Sequence, residues 1–186
     1  MSFRILVADD ESIIRMDLAE LLGELGYTVV GEAADGFEAR KLVEQLKPDV
    51  VILDVVMPRV GGIKLASELA GEYPVILLTA HSSPDLVQAA SDAGVMAYLT
   101  KPFRPRDIGP AIVLAVSHFL KQTELSDRVA TLGEQLETRK MVERAKAILM
   151  ARESLSEPEA YRRIQQISMT RNLPMKQVAK EIVDAV

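Results

Sequence analysis

The chain has 186 residues, 48% apolar and 26% charged, with a formal net charge of −5. This is the mix of a soluble globular protein, long enough for one domain of about 120 residues and a smaller module. With no cysteine and only two histidines, His81 and His118, a disulfide framework, a thiolate metal site, cysteine catalysis and a histidine-rich metal cluster are excluded, and the negative charge taken whole argues against nucleic acid.

The first apolar run, 3–8, ends in Asp9-Asp10-Glu11. It is shorter than the core of a signal peptide. The longest later apolar run, 111–116, falls far below the roughly 20 residues that span a bilayer. A cytoplasmic protein with no membrane partner is therefore expected. Five β-rich runs follow one another at 3–8, 28–33, 49–53, 74–79 and 96–99. Three of them are nearly continuous aliphatics, as in Val50-Val51-Ile52-Leu53, which suits parallel strands buried on both faces. Helical periods lie between them, as in Ile14, Leu18, Leu21 and Leu25, and again in Ala39, Leu42, Val43 and Leu46. Gly26, Gly36, Gly61-Gly62 and Gly94 stand where helices end or loops turn. A βα unit repeated five times predicts an α/β doubly wound, five-stranded parallel sheet with helices on both faces. Its site belongs at the carboxyl ends of the strands, near the switch point.

After Pro110 the strand signal stops, and 111–151 contains no proline. Leu125, Val129, Leu132 and Leu136 step by 4, 3 and 4, a short coiled-coil seam on a long connector helix. The alternative is a helix packing on its own domain. Gly133 costs that helix about 1 kcal/mol and predicts a weak or slightly bent stretch. Ser156 and Glu159 form a capping box with Pro158 in the first turn. Ala160, Ile164 and Ile167 then mark one helical face. Asn172-Leu173-Pro174 breaks that helix, and Met175, Val178, Ala179 and Ile182 mark a last one. The predicted organisation is a domain at 1–122, a connector at 123–138 and a small three-helix module at 131–186.

Parallel pairing makes neighbours of the first and third strand ends, so Asp9, Asp10 and Asp54 converge. Two carboxylates ~4 Å apart repel by about 4 kcal/mol at an effective dielectric of 20. Such a site wants a cation, and all-oxygen ligands suit Mg²⁺ or Mn²⁺. Thr79 at the end of the fourth strand and Lys101 past the fifth add a hydroxyl and an ammonium, completing a cradle for a phosphoryl group. Taken singly, each residue is also explained as a loop carboxylate or a cap; Asp10, for example, could cap the helix starting near Glu11.

Residues 1 to about 122 resemble response-regulator receiver domains, which are flavodoxin-like. The resemblance rests on Val7-Ala8-Asp9-Asp10-Glu11, Val51-Ile52-Leu53-Asp54-Val55-Val56-Met57-Pro58, Leu78-Thr79-Ala80 and Tyr98-Leu99-Thr100-Lys101-Pro102-Phe103. It implies that Asp54 is the phosphoacceptor, taking its phosphoryl group from a sensor histidine kinase. Asp10, Asp54 and the Val56 main-chain carbonyl would hold Mg²⁺, with Asp9 acting partly through water. Thr79 and Lys101 would bind phosphoryl oxygens, Tyr98 would be the switch aromatic, and the Lys101-Pro102 peptide would be cis. Two positions that tune phosphoryl lifetime in the family match Val56 and His81. Val56 offers no hydrogen bond to an attacking water, so slow self-dephosphorylation is expected. His81 either assists or is a solvated loop residue.

The charge divides unevenly. Residues 1–122 carry 11 basic and 17 acidic residues, net −6, and residues 123–186 carry 11 and 10, net +1. Within 139–176 nine bases face four acids, net +5. A tyrosine at the rim of a core beside Arg162 and Arg163 can stack an unpaired base while guanidinium groups hold phosphates; the plainer reading is a solvated basic face with a core tyrosine. Glu143-Arg144-Ala145-Lys146-Ala147-Ile148-Leu149-Met150, Leu155-Ser156-Glu157-Pro158-Glu159-Ala160-Tyr161, Asn172-Leu173-Pro174 and Val178-Ala179 together resemble the ANTAR domain, the RNA-binding module of transcription antitermination regulators. Ala147 stands where many members have glycine. The resemblance covers roughly 131–186 and implies binding to RNA with paired stem-loops, through Arg139, Lys140, Arg144, Lys146, Tyr161 and Arg162. It also implies a homodimer on phosphorylation, for which the Leu125–Leu136 seam is the candidate. The alternatives are a DNA-binding regulator with a C-terminal helix-turn-helix and an output that binds only protein. A catalytic output is not expected, because no nucleophile or metal constellation follows Lys101. A DNA-reading helix carries its bases near its N-terminus, and the last helix offers only Lys176, Gln177 and Lys180 against Glu181 and Asp184.

Overall fold

The structure is a computed structural model that describes residues 2–80 and 84–185. His81 lies outside the described residues. The elements in chain order are β1 (Arg4–Ala8), α1 (Ser12–Glu24), β2 (Thr28–Ala33), α2 (Gly36–Leu46), β3 (Val50–Asp54), α3 (Gly62–Leu69), β4 (Val75–Thr79), α4 (Pro84–Asp92), β5 (Ala97–Thr100), α5 (Pro105–Glu153), α6 (Glu157–Arg171) and α7 (Met175–Asp184). The chain divides into two compact units, Met1–Thr123 and Glu124–Val186.

In the first unit all strands are parallel, in the order β2-β1-β3-β4-β5. The central β3 and β4 are buried at every position, whereas β5, at an edge, alternates buried and exposed. Side chains alternate across a strand, so each strand feeds two cores. Ile5, Val7, Ile52, Ile76 and Leu78 pack with Leu18 and Leu22 of α1 and with Ile108 and Ile112 of α5. Leu6, Ala8, Val51, Leu53 and Leu77 pack with Val43 of α2 and Leu65 of α3. The strand order reverses beside β1 and β3, which puts the carboxyl ends of those two strands at the crevice where α/β sheets bind ligands.

Two readings change. Helix α5 starts at Pro105 and runs through Pro110, so the helix does not wait for the proline. A proline so near the start forfeits one intrahelical hydrogen bond, and the burial of Ile108, Ile112 and Ala115 offsets the loss. The same helix continues through Gly133. The N-cap of α1 is Glu11, whose N–H donates to Asp9 Oδ1 at 2.9 Å, so Asp10 does not cap that helix.

The second unit is built from the remainder of α5 with α6 and α7 around Val142, Ala145, Leu149, Ala160, Ile164, Val178 and Ala179. At the start of α6 the Glu159 carboxylate accepts from Ser156 N at 2.8 Å and Ser156 Oγ at 2.6 Å. Its pKa lies below the usual carboxylate range because Ser156 hydrogen-bonds the charged form. The seam residues Leu125, Val129, Leu132 and Leu136 are each more than half exposed. Among the described residues no helix is long and apolar enough to cross a membrane.

Candidate functional site

The first unit gathers its chemistry where β1, β3, β4 and β5 end. Asp10, Asp54, Val56, Thr79 and Lys101 line one pocket of about 430 Å³, with Glu11 at its rim. Asp9 lies fully buried beside it, Asp54 and Thr79 are buried, and Asp10 is exposed. Lys101 Nζ is 2.8 Å from Asp54 Oδ1, 2.7 Å from Asp9 Oδ2 and 3.6 Å from Glu11 Oε1. The Val56 N–H donates to Asp54 Oδ2 at 3.0 Å. The Lys101-Pro102 peptide is cis.

Charge is unbalanced here, with four carboxylates around one ammonium. Burial pushes the Asp54 carboxyl above the usual range, against the pull of Lys101, and the Asp9 carboxylate adds to the rise. Burial works against the Lys101 ammonium, but Asp54 and Asp9 outweigh it and hold its pKa above the ordinary lysine value. Asp9, Asp10 and Asp54 each offer an oxygen within 4.8 Å of the others, a group that could hold a metal ion. Hard oxygen donors without histidine or thiolate fit a hard divalent cation. Tyr98 stands half-exposed on β5 and shares a small apolar cavity with Thr79.

The loop that carries Val56 is fastened at its far side, which the sequence reading missed. Asp35 caps α2 by accepting from Phe37 N at 2.9 Å and Glu38 N at 3.0 Å, and it pairs with Arg59. The Glu38 N–H lowers the Asp35 pKa first, and Arg59 lowers it further against burial. Arg59 adopts a left-handed φ of 64° and places its guanidinium 5.6 Å from the Phe37 ring centre. A Cβ on Gly36 would lie 2.1 Å from the Val60 carbonyl oxygen, so the two backbones meet where no side chain fits.

In the second unit the expected contact residues separate. Arg139 and Tyr161 line one open groove of about 950 Å³, and Lys176, Gln177 and Lys180 of α7 line it with them. Lys140 is exposed and pairs with Glu137 at 3.0 Å. Arg144 and Arg162 are exposed and lie outside the groove lining. Lys146 departs from its expected role. It is buried, with Nζ 2.6 Å from Glu157 and 2.9 Å from Glu143. Those carboxylates hold its pKa above the ordinary lysine value, so its ammonium ties α5 to α6 rather than facing a phosphate.

Comparison with known proteins follows the same division. The response regulator receiver domain family matches residues 5–113, and the ANTAR domain family matches residues 130–183. The transcriptional regulatory protein PdtaR of Mycobacterium tuberculosis is 54% identical over 185 residues, covering 98% of this chain and 90% of that protein. Among solved structures, chemotaxis protein CheY4 of Vibrio cholerae aligns with a TM-score of 0.57 and 30% identity, over 60% of this chain and 97% of that one. The signal receiver domain of a modulated diguanylate cyclase from Desulfovibrio desulfuricans aligns at 0.61 and 25%, over 66% and 99%.

Proposed function

Because the chain belongs to the response regulators, with a receiver domain joined to an ANTAR output domain, we propose that it takes a phosphoryl group on Asp54 from a sensor histidine kinase and answers by binding stem-loop RNA, so that transcription continues past a terminator. An oxygen of the Asp54 carboxylate attacks phosphorus, the bond from phosphorus to the kinase histidine nitrogen breaks, and an acyl phosphate forms. Asp9, Asp10, Asp54 and the Val56 carbonyl would hold Mg²⁺, which when bound supplies positive charge against the phosphoryl oxygens. Lys101, already 2.8 Å from Asp54, follows the transferred group as a counter-charge, and the Thr79 hydroxyl donates to it. Tyr98 turns from its half-exposed position toward the cavity it shares with Thr79. Val56, three-quarters exposed, leaves the acyl phosphate without a side chain that orients water, which makes self-dephosphorylation slow. We assign the protein to the cytoplasm, where a kinase domain and nascent RNA are both available.

The observation that carries this reading is the joint placement of Asp10, Asp54, Val56, Thr79 and Lys101 on one pocket in a chain that also matches an ANTAR domain. The test has two arms. With a small phosphodonor and Mg²⁺ the full chain incorporates phosphate and Asp54→Asn does not; incorporation by the variant refutes the acceptor assignment. With a phosphoryl mimic and Mg²⁺ the full chain binds a two-hairpin RNA more tightly than random duplex DNA; equal affinity at moderate salt removes the RNA reading and favours a DNA-binding output.

A further inference from the structure

We propose that the groove lined by α5, α6 and α7 seats one unpaired nucleotide of an RNA loop, its base stacked on Tyr161 and its flanking phosphates met by Lys176 and Lys180. The proposal rests on the RNA reading above and adds a site and a division of labour to it.

Three observations converge on this groove. Tyr161 is 44% exposed although Ala160 and Ile164 of the same helix are fully buried, so its ring is held at the groove wall without being consumed by the core. Tyrosine with an exposed face suits stacking on a base, and only an unpaired base has a free face to offer. The volume of about 950 Å³ falls within the roughly 300–1,000 Å³ of clefts that hold small ligands, room enough for a nucleotide. The lining then divides by chemistry. Val142 and Met175 give an apolar floor, Arg139, Lys176 and Lys180 give cations from two helices, and Gln177 gives an amide that both donates and accepts. A base edge presents both kinds of group, and a phosphate presents only acceptors.

The acids on the same wall do not cancel these cations. Glu143 is taken by Lys146 at 2.9 Å. Glu134 lies 3.9 Å from Lys176, a loose and exposed pair that a phosphate can replace. What remains is a positive groove with a stacking ring, complementary to a polyanion that exposes bases. The exposed cations outside it, Lys140, Arg144 and Arg162, then act only on the backbone of the stem.

The test uses the full chain with a phosphoryl mimic and Mg²⁺, titrated with a labelled pool of two-hairpin RNAs carrying randomised loops and with the same stems as blunt duplexes. Wild type is expected to prefer the looped RNA. Tyr161→Leu and Gln177→Ala should each weaken looped-RNA binding roughly tenfold or more with an unchanged salt dependence, and Tyr161→Phe should retain it. Lys176→Gln and Lys180→Gln should each lower the slope of log affinity against log salt by about one. Gln177 and Lys180 are exposed, so their variants keep the fold, which thermal melting checks. If wild type prefers looped RNA and all four groove variants match it in affinity and slope, the groove is overturned while the RNA reading stands. If wild type shows no preference for looped RNA over blunt duplex, both are overturned.

Discussion

Lys101 answers two aspartates with one ammonium, and the surplus of negative charge is what a cation would relieve. Divalent-cation binding to the folded state should therefore stabilise it, by about 2.7 kcal/mol when the metal is at 100 times its dissociation constant. Thermal melting with and without Mg²⁺ checks this. Asp10→Ala, at an exposed position, should leave the metal-free melting temperature close to wild type and remove most of the Mg²⁺ shift. A shift of full size in that variant would take Asp10 out of the donor set.

At the scale of elements, two junctions carry more than their sequence suggests. The turn into α2 and the loop after β3 touch through backbone at Gly36 and Val60. Gly36→Ala forces one of them to move, and such overpacking costs roughly 1–3 kcal/mol; denaturant unfolding should show it, with weakened Mg²⁺ binding because the same loop carries Val56. The start of α6 carries a pH dependence. The Glu159 carboxylate is held below the usual range by Ser156, so the folded state favours its charged form. Its contribution is complete above the unfolded carboxylate pKa of about 4.3 and fades as pH falls through the lower folded value. Glu159→Ala should thus be less stable than wild type at neutral pH, and the gap should close in acid. A gap that stays constant from pH 7 to pH 3 would show that the cap does not act through charge.

On the scale of the whole molecule, the exposed seam Leu125, Val129, Leu132 and Leu136 is the surface that a second copy would cover in the homodimer that the resemblance to ANTAR proteins implies. Leu132→Glu should abolish dimerisation of the activated protein in sedimentation without altering phosphate uptake on Asp54. How far the sequence could be read also differs along the chain. β3 and β4 were legible because burial on both faces leaves only aliphatic residues at 50–53 and 75–78, with Asp54 and Thr79 at their carboxyl ends, and parallel pairing then brings Asp9, Asp10 and Asp54 together without further information. Lys146 was misread because its charge outweighed its spacing. It stands on the stripe of Val142, Ala145 and Leu149, at helical intervals of three and four, and that interval already placed it inward. Pro110 was read only as the point after which the strand signal stops, whereas the helix already starts at Pro105, and so close to that start the proline removes only one bond. Lys176, Gln177 and Lys180 were visible in the sequence only as too sparse a set for a DNA-reading helix, since a groove between three helices exists only once they pack. The Arg59–Asp35 tie is equally non-local, joining residues 24 positions apart.

The two lysines drawn inward have a practical consequence for following this protein in solution. Of nine lysines, Lys101 and Lys146 keep their side chains least exposed, at 11% and 8%, and each stands in a different unit. An amine-acylating reagent meets the other seven first. The extent of modification at residue 101 then reports the integrity of the acidic pocket, and that at residue 146 reports the packing of α5 on α6. One digest and one mass spectrum follow both units at once, against a background free of reactive thiols.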